Sequence, residues 1–214
     1  MQYLLEAFHY LFDPTHWRGS SGLAARAAEH LGYTALAVAV TALIAVPVGV
    51  WVGHTRRGAS AVLSVAGALR ALPALGMITF LAVALPMGVR VPLVPATIAL
   101  VLLAAAPLVT GIVAGFESVD PEVIHSARAA GYSERQILTR VELPLGAPVM
   151  VGGLRSCVVQ VLATATVVAY IGLGGLGRLL IDGLAVQDYS RMVAGALAVI
   201  ALALVVAAAL LDDP

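Results

Sequence analysis

With 214 residues, 61% of them hydrophobic and only 11% charged, the chain has too few polar side chains to coat a water-soluble globule. Its twelve acidic and twelve basic residues cancel, which leaves no electrostatic basis for binding nucleic acid. Every basic residue is arginine, so there is no lysine for a phosphate-binding Walker A loop or a Schiff base, and the lone Cys157 can form neither an internal disulfide nor a cysteine metal cluster.

Residues 1–30 lack the basic start of a secretory signal, and Glu6 and Asp13 interrupt the apolar stretch. Tyr3, Leu4, Leu5, Phe8, Leu11 and Phe12 fall on one side of a short helix, a pattern that suits an amphipathic segment lying in the membrane interface and a loosely ordered tail equally. Residues 13–30, with Pro14, Trp17 and Gly19-Ser20-Ser21-Gly22, read as a polar lead-in. Crossing a bilayer core takes about 20 apolar residues, and five runs reach that length: 31–53, closed by His54-Thr55-Arg56-Arg57; 59–85, broken by Arg70 and Pro73 and open to a re-entrant reading; 93–115, with Pro107 inside; 149–171, with Arg155 near its start; and 192–211. A polar, glycine-rich connection over 172–190 joins the last two. The arginines flanking the first run favour an outside N-terminus, but the loop arginines balance and do not decide the orientation.

Within these runs the costly residues are Arg70 and Arg155. A charge deep in a bilayer faces protein or water, or snorkels to the headgroups; the polar island that follows the third run lies close enough for Arg155 to snorkel, whereas Arg70 divides evenly between that and lining a gate or path. Gly49…Gly53 and Gly111…Gly115 have the spacing of close helix contacts. Gly172-Leu-Gly174-Gly175-Leu-Gly177 matches the dinucleotide-binding fingerprint by letter, but an apolar span rather than a strand precedes it, so it reads as a tight turn. His9, His16, His30, His54 and His125 fall in no metal-ligand spacing and read as boundary or surface residues.

The polar island itself spans 117–148 and punctuates as two short helices with a hinge. Asp120 is a good N-cap, Pro121 suits the first helical position and Glu122 adds favourable charge to the first turn. Gly131 sits where a left-handed residue ends a helix, Ser133 and Gln136 have capping-box spacing, and Pro144 reads as the stop of the second helix. Val123, Ile124, Ala127 and Ala130 share one face of the first helix, and Ile137, Leu138 and Val141 one face of the second.

Ala127-x-x-x-Gly131 followed by Val141-Glu142-Leu143-Pro144 resembles the EAA loop of ABC-importer permeases, in which EAA, three residues, a glycine and nine more residues lead to I-x-L-P. His125-Ser126-Ala127 takes the EAA position; His125 replaces the usual glutamate and Ser126 an alanine, so no role of that carboxylate carries over. Leu69-Arg70-Ala71-Leu72-Pro73-Ala74-Leu75, Ala163-Thr164-Ala165-Thr166, the run from Tyr170 to Gly177, Ile181-Asp182-Gly183-Leu184 and Gln187-Asp188-Tyr189 are similar to the glycine betaine/carnitine/choline (osmoprotectant) branch, over roughly residues 30–211.

The resemblance implies an all-α integral membrane fold of the type I importer class: about five transmembrane helices over 31–211, behind the 1–30 segment, with a cytoplasmic two-helix coupling loop at 117–148. It implies an osmoprotectant permease subunit without catalytic, cofactor or metal residues. Its partners are two cytoplasmic ATPase subunits that bind the ATP, a second permease copy or paralogue, an extracytoplasmic substrate-binding protein and membrane lipid. Coupling to the ATPase falls to Asp120, Val123, Ile124, His125, Ser126, Ala127, Gly131 and Pro144, with Val123, Ile124 and Ala127 docking; a pathway or gate role falls to Arg70 and Pro73. The setting is a bacterial inner membrane, N-terminus outside and C-terminus inside, and Asp212-Asp213-Pro214 without a basic anchor reads as a short or truncated cytoplasmic end. Alternatives are a type I permease for another small solute, such as methionine or an oxyanion, and a secondary transporter; the latter needs paired ionisable residues in the spans, where only arginines stand. A membrane-embedded enzyme lacks a catalytic constellation.

Overall fold

The computed structural model describes residues 1–210; Leu211, the end of the fifth expected span, and the terminal Asp212-Asp213-Pro214 lie outside the described residues. The regular structure of the described residues is helical throughout. In order it comprises α1 (Gln2–Phe12), a 3₁₀ turn (Pro14–Trp17), α2 (Leu23–Thr55), α3 (Ala59–Arg70), α4 (Ala74–Ala84), α5 (Leu93–Glu117), α6 (Pro121–Ala129) and α7 (Glu134–Ile137). A π turn (Leu138–Glu142), α8 (Leu143–Thr164), a second 3₁₀ turn (Val167–Ile171), α9 (Gly177–Ala185) and α10 (Tyr189–Ala209) complete it. Among the described residues four helices are long and apolar enough to cross a membrane, or five if α3 and α4 form one broken span.

Several boundaries differ from the sequence reading, each for a local reason. The first span starts at Leu23, inside the expected polar lead-in. Its extra turns are rich in alanine, the best helix former, and Arg26 pairs with Glu29 one turn on at 3.0 Å. Over 59–85 the chain is two helices bent by 88° at Arg70–Ala74. Pro73 has no N–H to donate and pushes Leu72 out of the helical region, so the helix cannot pass through. Pro144 does not stop the second helix of the polar island. The π turn ahead of it hands the Leu143 N–H to the Leu138 carbonyl, one residue farther back than in an α-helix, and Pro144 falls in the first turn of α8, where its missing N–H is tolerated. The glycine-rich connection over 172–190 holds a helix, α9. Bare Gly183 and Gly195 let it lie against α10: a Cβ on Gly195 would stand 2.7 Å from Leu179 and Leu180.

The chain forms two compact units. The first comprises Met1–Val38, Leu72–Val101 and Val159–Pro214. Its core gathers Leu23, Leu162, Leu176, Leu179 and Val199, with Tyr10 and Leu11 of α1 packed against them. Helix α1 runs beside α10: the Tyr3 and Tyr189 rings lie 5.6 Å apart and the Ser190 hydroxyl donates to Glu6. The glycine turn uses left-handed Gly172 (φ +93°) and Gly175 (φ +83°), and the Gly175 N–H donates to Glu29 at 2.8 Å. It is thus a close backbone approach to α2. His30 beside it is fully buried, not a surface residue, and donates from Nε2 to the Leu162 carbonyl at 2.9 Å.

The second unit comprises Ala39–Ala71 and Leu102–Val158. Here both glycine pairs act as helix contacts. A Cβ on Gly49 would stand 2.9 Å from Ile112, and one on Gly53 would overlap the fully buried Phe116 ring. Gly111 and Gly153 meet backbone to backbone, since a Cβ on Gly153 would lie 2.6 Å from the Gly111 Cα. Gly115 repeats the contact one turn on against Met150 and Gly146. Helices α2, α5 and α8 are therefore locked by shape in this unit, at the end that carries the polar island.

Candidate functional site

The polar island folds as a stiff two-helix bracket. Asp120 Oδ1 accepts the Glu122 N–H at 2.8 Å, and Pro121 occupies the first helical position. Helix α6 ends in left-handed Gly131 (φ +87°), with the Tyr132 N–H reaching back to the Ala127 carbonyl at 3.1 Å. Ser133 and Gln136 form the complete capping box: the Ser133 N–H donates to Gln136 Oε1 at 2.8 Å, and the Gln136 N–H to Ser133 Oγ at 3.4 Å.

Two further features, absent from the sequence reading, brace the hinge. Arg128 forks onto both oxygens of Glu134, at 2.8 and 3.0 Å, across Gly131. The Glu134 carboxylate holds the Arg128 pKa above its ordinary value. Beneath that clamp, Val119, Ile124 and Ile137 form a small apolar core with Ala127. Of the three residues expected to dock on a partner, Ile124 (9% exposed) and Ala127 are therefore used inside the bracket, while Val123 stays 43% exposed. Asp120, His125, Ser126 and Gly131 are also exposed, so the outer surface of α6 is Val123 with small and polar neighbours.

At the far end of the bracket stands a polar clasp. Glu142, in the π turn, is 2% exposed and accepts a hydrogen bond from the His54 ring at the end of α2. Arg56, left-handed at φ +58° just past α2, approaches the same carboxylate at 3.9 Å and donates to the Phe116 carbonyl at the end of α5 at 2.7 Å. One buried carboxylate thus ties the bracket to α2 and, through Arg56, to α5. A cavity of about 280 Å³ opens beside it, lined by His54, Arg56, Glu117, His125, Arg128 and Glu142 among others. His125 lines the same cavity as the carboxylates Glu117 and Glu142, at the position where the EAA pattern has a glutamate. The polar run His54-Thr55-Arg56-Arg57 was legible as a helix end; the link from His54 to Glu142, across 88 residues of chain, was not.

The remaining candidates stand elsewhere. Pro144 is in the first turn of α8, next to the clasp. Arg70 and Pro73 flank the break between α3 and α4, and Arg70 faces a separate notch on α5 and α8. Arg155 is half-buried in α8, its Nε without a hydrogen-bond partner among the described residues. Among the described residues no group of histidine, cysteine and carboxylate side chains is placed to hold a metal ion.

Similarity to known proteins follows the same lines. The osmoprotectant import permease protein OsmW of Salmonella typhimurium is 31% identical over 202 residues, covering 94% of this chain and 92% of that protein. The carnitine transport permease protein OpuCB of Listeria monocytogenes is 34% identical over 85% of this chain and 82% of its own length. The choline transport system permease protein OpuBB of Bacillus subtilis is 30% identical over 83% and 80%. Solved inward-facing structures of the MetNI methionine ABC transporter share the fold, with a TM-score of 0.75 over 88% of this chain and 92% of that chain, at 21% identity. Residues 45–211 match the model of binding-protein-dependent transport system inner membrane components, and the chain belongs to that family of type I ABC-importer permeases.

Proposed function

We propose that this chain forms the transmembrane path of an ATP-driven importer of osmoprotectants such as glycine betaine, carnitine or choline, and that the α6–α7 bracket couples it to a cytoplasmic ATPase. Relatives named for such solutes, at 30–34% identity over four fifths or more of their length, support the solute class. The bracket supports the coupling: hydrogen-bonded caps, a bidentate ion pair and a private apolar core stiffen the segment that matches the EAA spacing.

In this reading ATP sits in a separate subunit, and closure of two such subunits pushes on the exposed surface of α6 around Val123, His125 and Ser126. A stiff bracket passes the push on as a rigid-body movement, the form in which packed helices switch between discrete arrangements. The spans then alternate between inward and outward openings while a second permease, identical or paralogous, completes the pathway, with Arg70 and Pro73 at its broken helix. An extracytoplasmic binding protein delivers solute, and the N-terminus lies outside a bacterial inner membrane with the bracket and C-terminus inside.

The test is co-expression of this chain with an ATPase, a second permease and a binding protein of an osmoprotectant importer from the same organism. The ATPase is expected to co-purify after mild detergent extraction, and the complex in proteoliposomes to take up radiolabelled glycine betaine, carnitine or choline on internal ATP. A permease that purifies alone and moves none of these solutes refutes the reading.

A further inference from the structure

We infer that the notch beneath Arg70 is a low-affinity seat for the carboxylate of a small zwitterionic solute in transit. The inference rests on the importer reading above and adds to it a site and the chemical group it recognises.

Arg70 closes α3, where the free carbonyls of the last turn favour a cation. It stands at the 88° break of a membrane helix, and transporters build substrate sites from such discontinuous helices. Among the described residues it forms no hydrogen bond or ion pair. An arginine in a span without an acidic partner leaves its five N–H donors free, a standing cost that an anionic ligand removes.

The ground it faces is shaped for a small polar group. The notch holds about 270 Å³ and is lined by Thr110, Ser156 and the bare backbone of Gly111, Gly152 and Gly153, with Pro107 at its edge. It exists because Gly111 and Gly153 touch backbone to backbone: side chains there would fill the space or push α5 and α8 apart. The Thr110 hydroxyl makes no hydrogen bond among the described residues and supplies a second donor, whereas the Ser156 hydroxyl already donates to the Gly152 carbonyl at 3.0 Å. A guanidinium fork with a hydroxyl beside it matches a carboxylate.

Among the described residues no acidic or aromatic side chain lines the notch, so none of them there holds a quaternary ammonium group. It therefore distinguishes glycine betaine and carnitine, which carry a carboxylate, from choline, which does not. Single-ended recognition keeps binding weak, as passage requires.

The complex of this chain with its ATPase, without the binding protein and set in nanodiscs, is examined by equilibrium dialysis against radiolabelled glycine betaine and radiolabelled choline. Saturable binding of glycine betaine is expected, at least about tenfold weaker in Arg70→Gln, the order of effect for one lost charge-assisted pair, and partly retained in Arg70→Lys. Choline is expected to bind weakly and equally to all three. No saturable binding of glycine betaine to the wild type, an Arg70→Gln variant that binds it undiminished, or equal losses for both solutes overturns the inference. Failure of the importer reading shows separately, as an ATPase that does not co-purify and an absence of uptake.

Discussion

Replacing Glu142 by alanine removes the carboxylate that holds the clasp together. The side chain is 3% exposed, so its partners lose a buried acceptor rather than a surface contact. Removing one member of a buried pair costs about 3–5 kcal/mol. His54 keeps 19% of its side chain exposed and Arg56 41%, so water reaches both once the carboxylate is gone, and the lower figure, about 3 kcal/mol, is the better one here. For a chain of this size each kcal/mol moves the unfolding midpoint by about 2–4 °C, which puts Glu142→Ala roughly 6–12 °C below wild type. Glu142→Gln keeps the shape and one acceptor oxygen and loses the ionised partner, a smaller effect of about 1.5–3 kcal/mol. The functional expectation differs in kind: both variants hydrolyse ATP in the reconstituted complex, but solute moved per ATP falls, because α2 and α5 no longer follow the bracket. Thermal unfolding of the purified complex and paired uptake and ATPase assays in proteoliposomes read the two effects. His54→Ala combined with Glu142→Ala is expected to cost little more than either alone, since each breaks the same link. An additive double variant, or a Glu142→Ala protein with wild-type midpoint and wild-type coupling, refutes the clasp.

Gly131→Val meets open space but forces a β-branched residue into the left-handed region, at a cost of at least about 1–2 kcal/mol. The protein is expected to remain folded in the membrane with ATP hydrolysis retained and uptake lost, and normal transport by that complex refutes the coupling role of the hinge. Gly153→Leu places a side chain where the Gly111 backbone stands, and packed helices cannot both keep their approach. It is expected to fail to accumulate as a detergent-stable protein, while Gly152→Ala, with nothing within 4 Å of its Cβ, is expected to accumulate and unfold as wild type does.

Much of this was legible because it is local. The caps at Asp120 and Ser133 and the left-handed Gly131 are each decided within a few residues of chain and took the form their spacing implied; the glycine pairs on α2 and α5 announced a close contact by spacing, though not with which helix. What was not legible depended on partners distant in sequence. A glutamate at position 142 between Val141 and Leu143 carries no sign that it will be buried, and His54 in a charged helix end none that it will donate to it. Pro144 misled for a related reason: a proline stops an α-helix only if the hydrogen-bond register ahead of it is regular, and the π turn that shifts the register has no strong sequence signature. Helix α9 was hidden by its glycines, which serve close packing rather than a loop: Gly183 against Met192 of α10 and Gly177 against the Thr166 backbone.

The sharpest difference concerns which side of α6 is free. Val123 and Ile124 are neighbours, about 100° apart on a helix, and an apolar pair at consecutive positions gives no hint which of them a partner meets. The structure turns Ile124 into the bracket, against Val119 and Ile137, and leaves Val123 outside. That division suits a part that transmits force. The residues that hold the bracket rigid are not the ones available for contact, so under the proposed coupling a partner engages α6 without unpacking the bracket. The same division bears on His125. It stands outside, beside the cavity that also holds Glu117 and Glu142, at the position where the EAA pattern has its glutamate. The carboxylates at this corner of the molecule come from Glu117 at the end of α5 and from Glu142 on the opposite arm of the bracket, the latter engaged by His54. Position 125 departs from the motif, yet the cavity it lines holds acid and base together, and its buried acid, Glu142, stands on the arm of the bracket that is fastened to the spans.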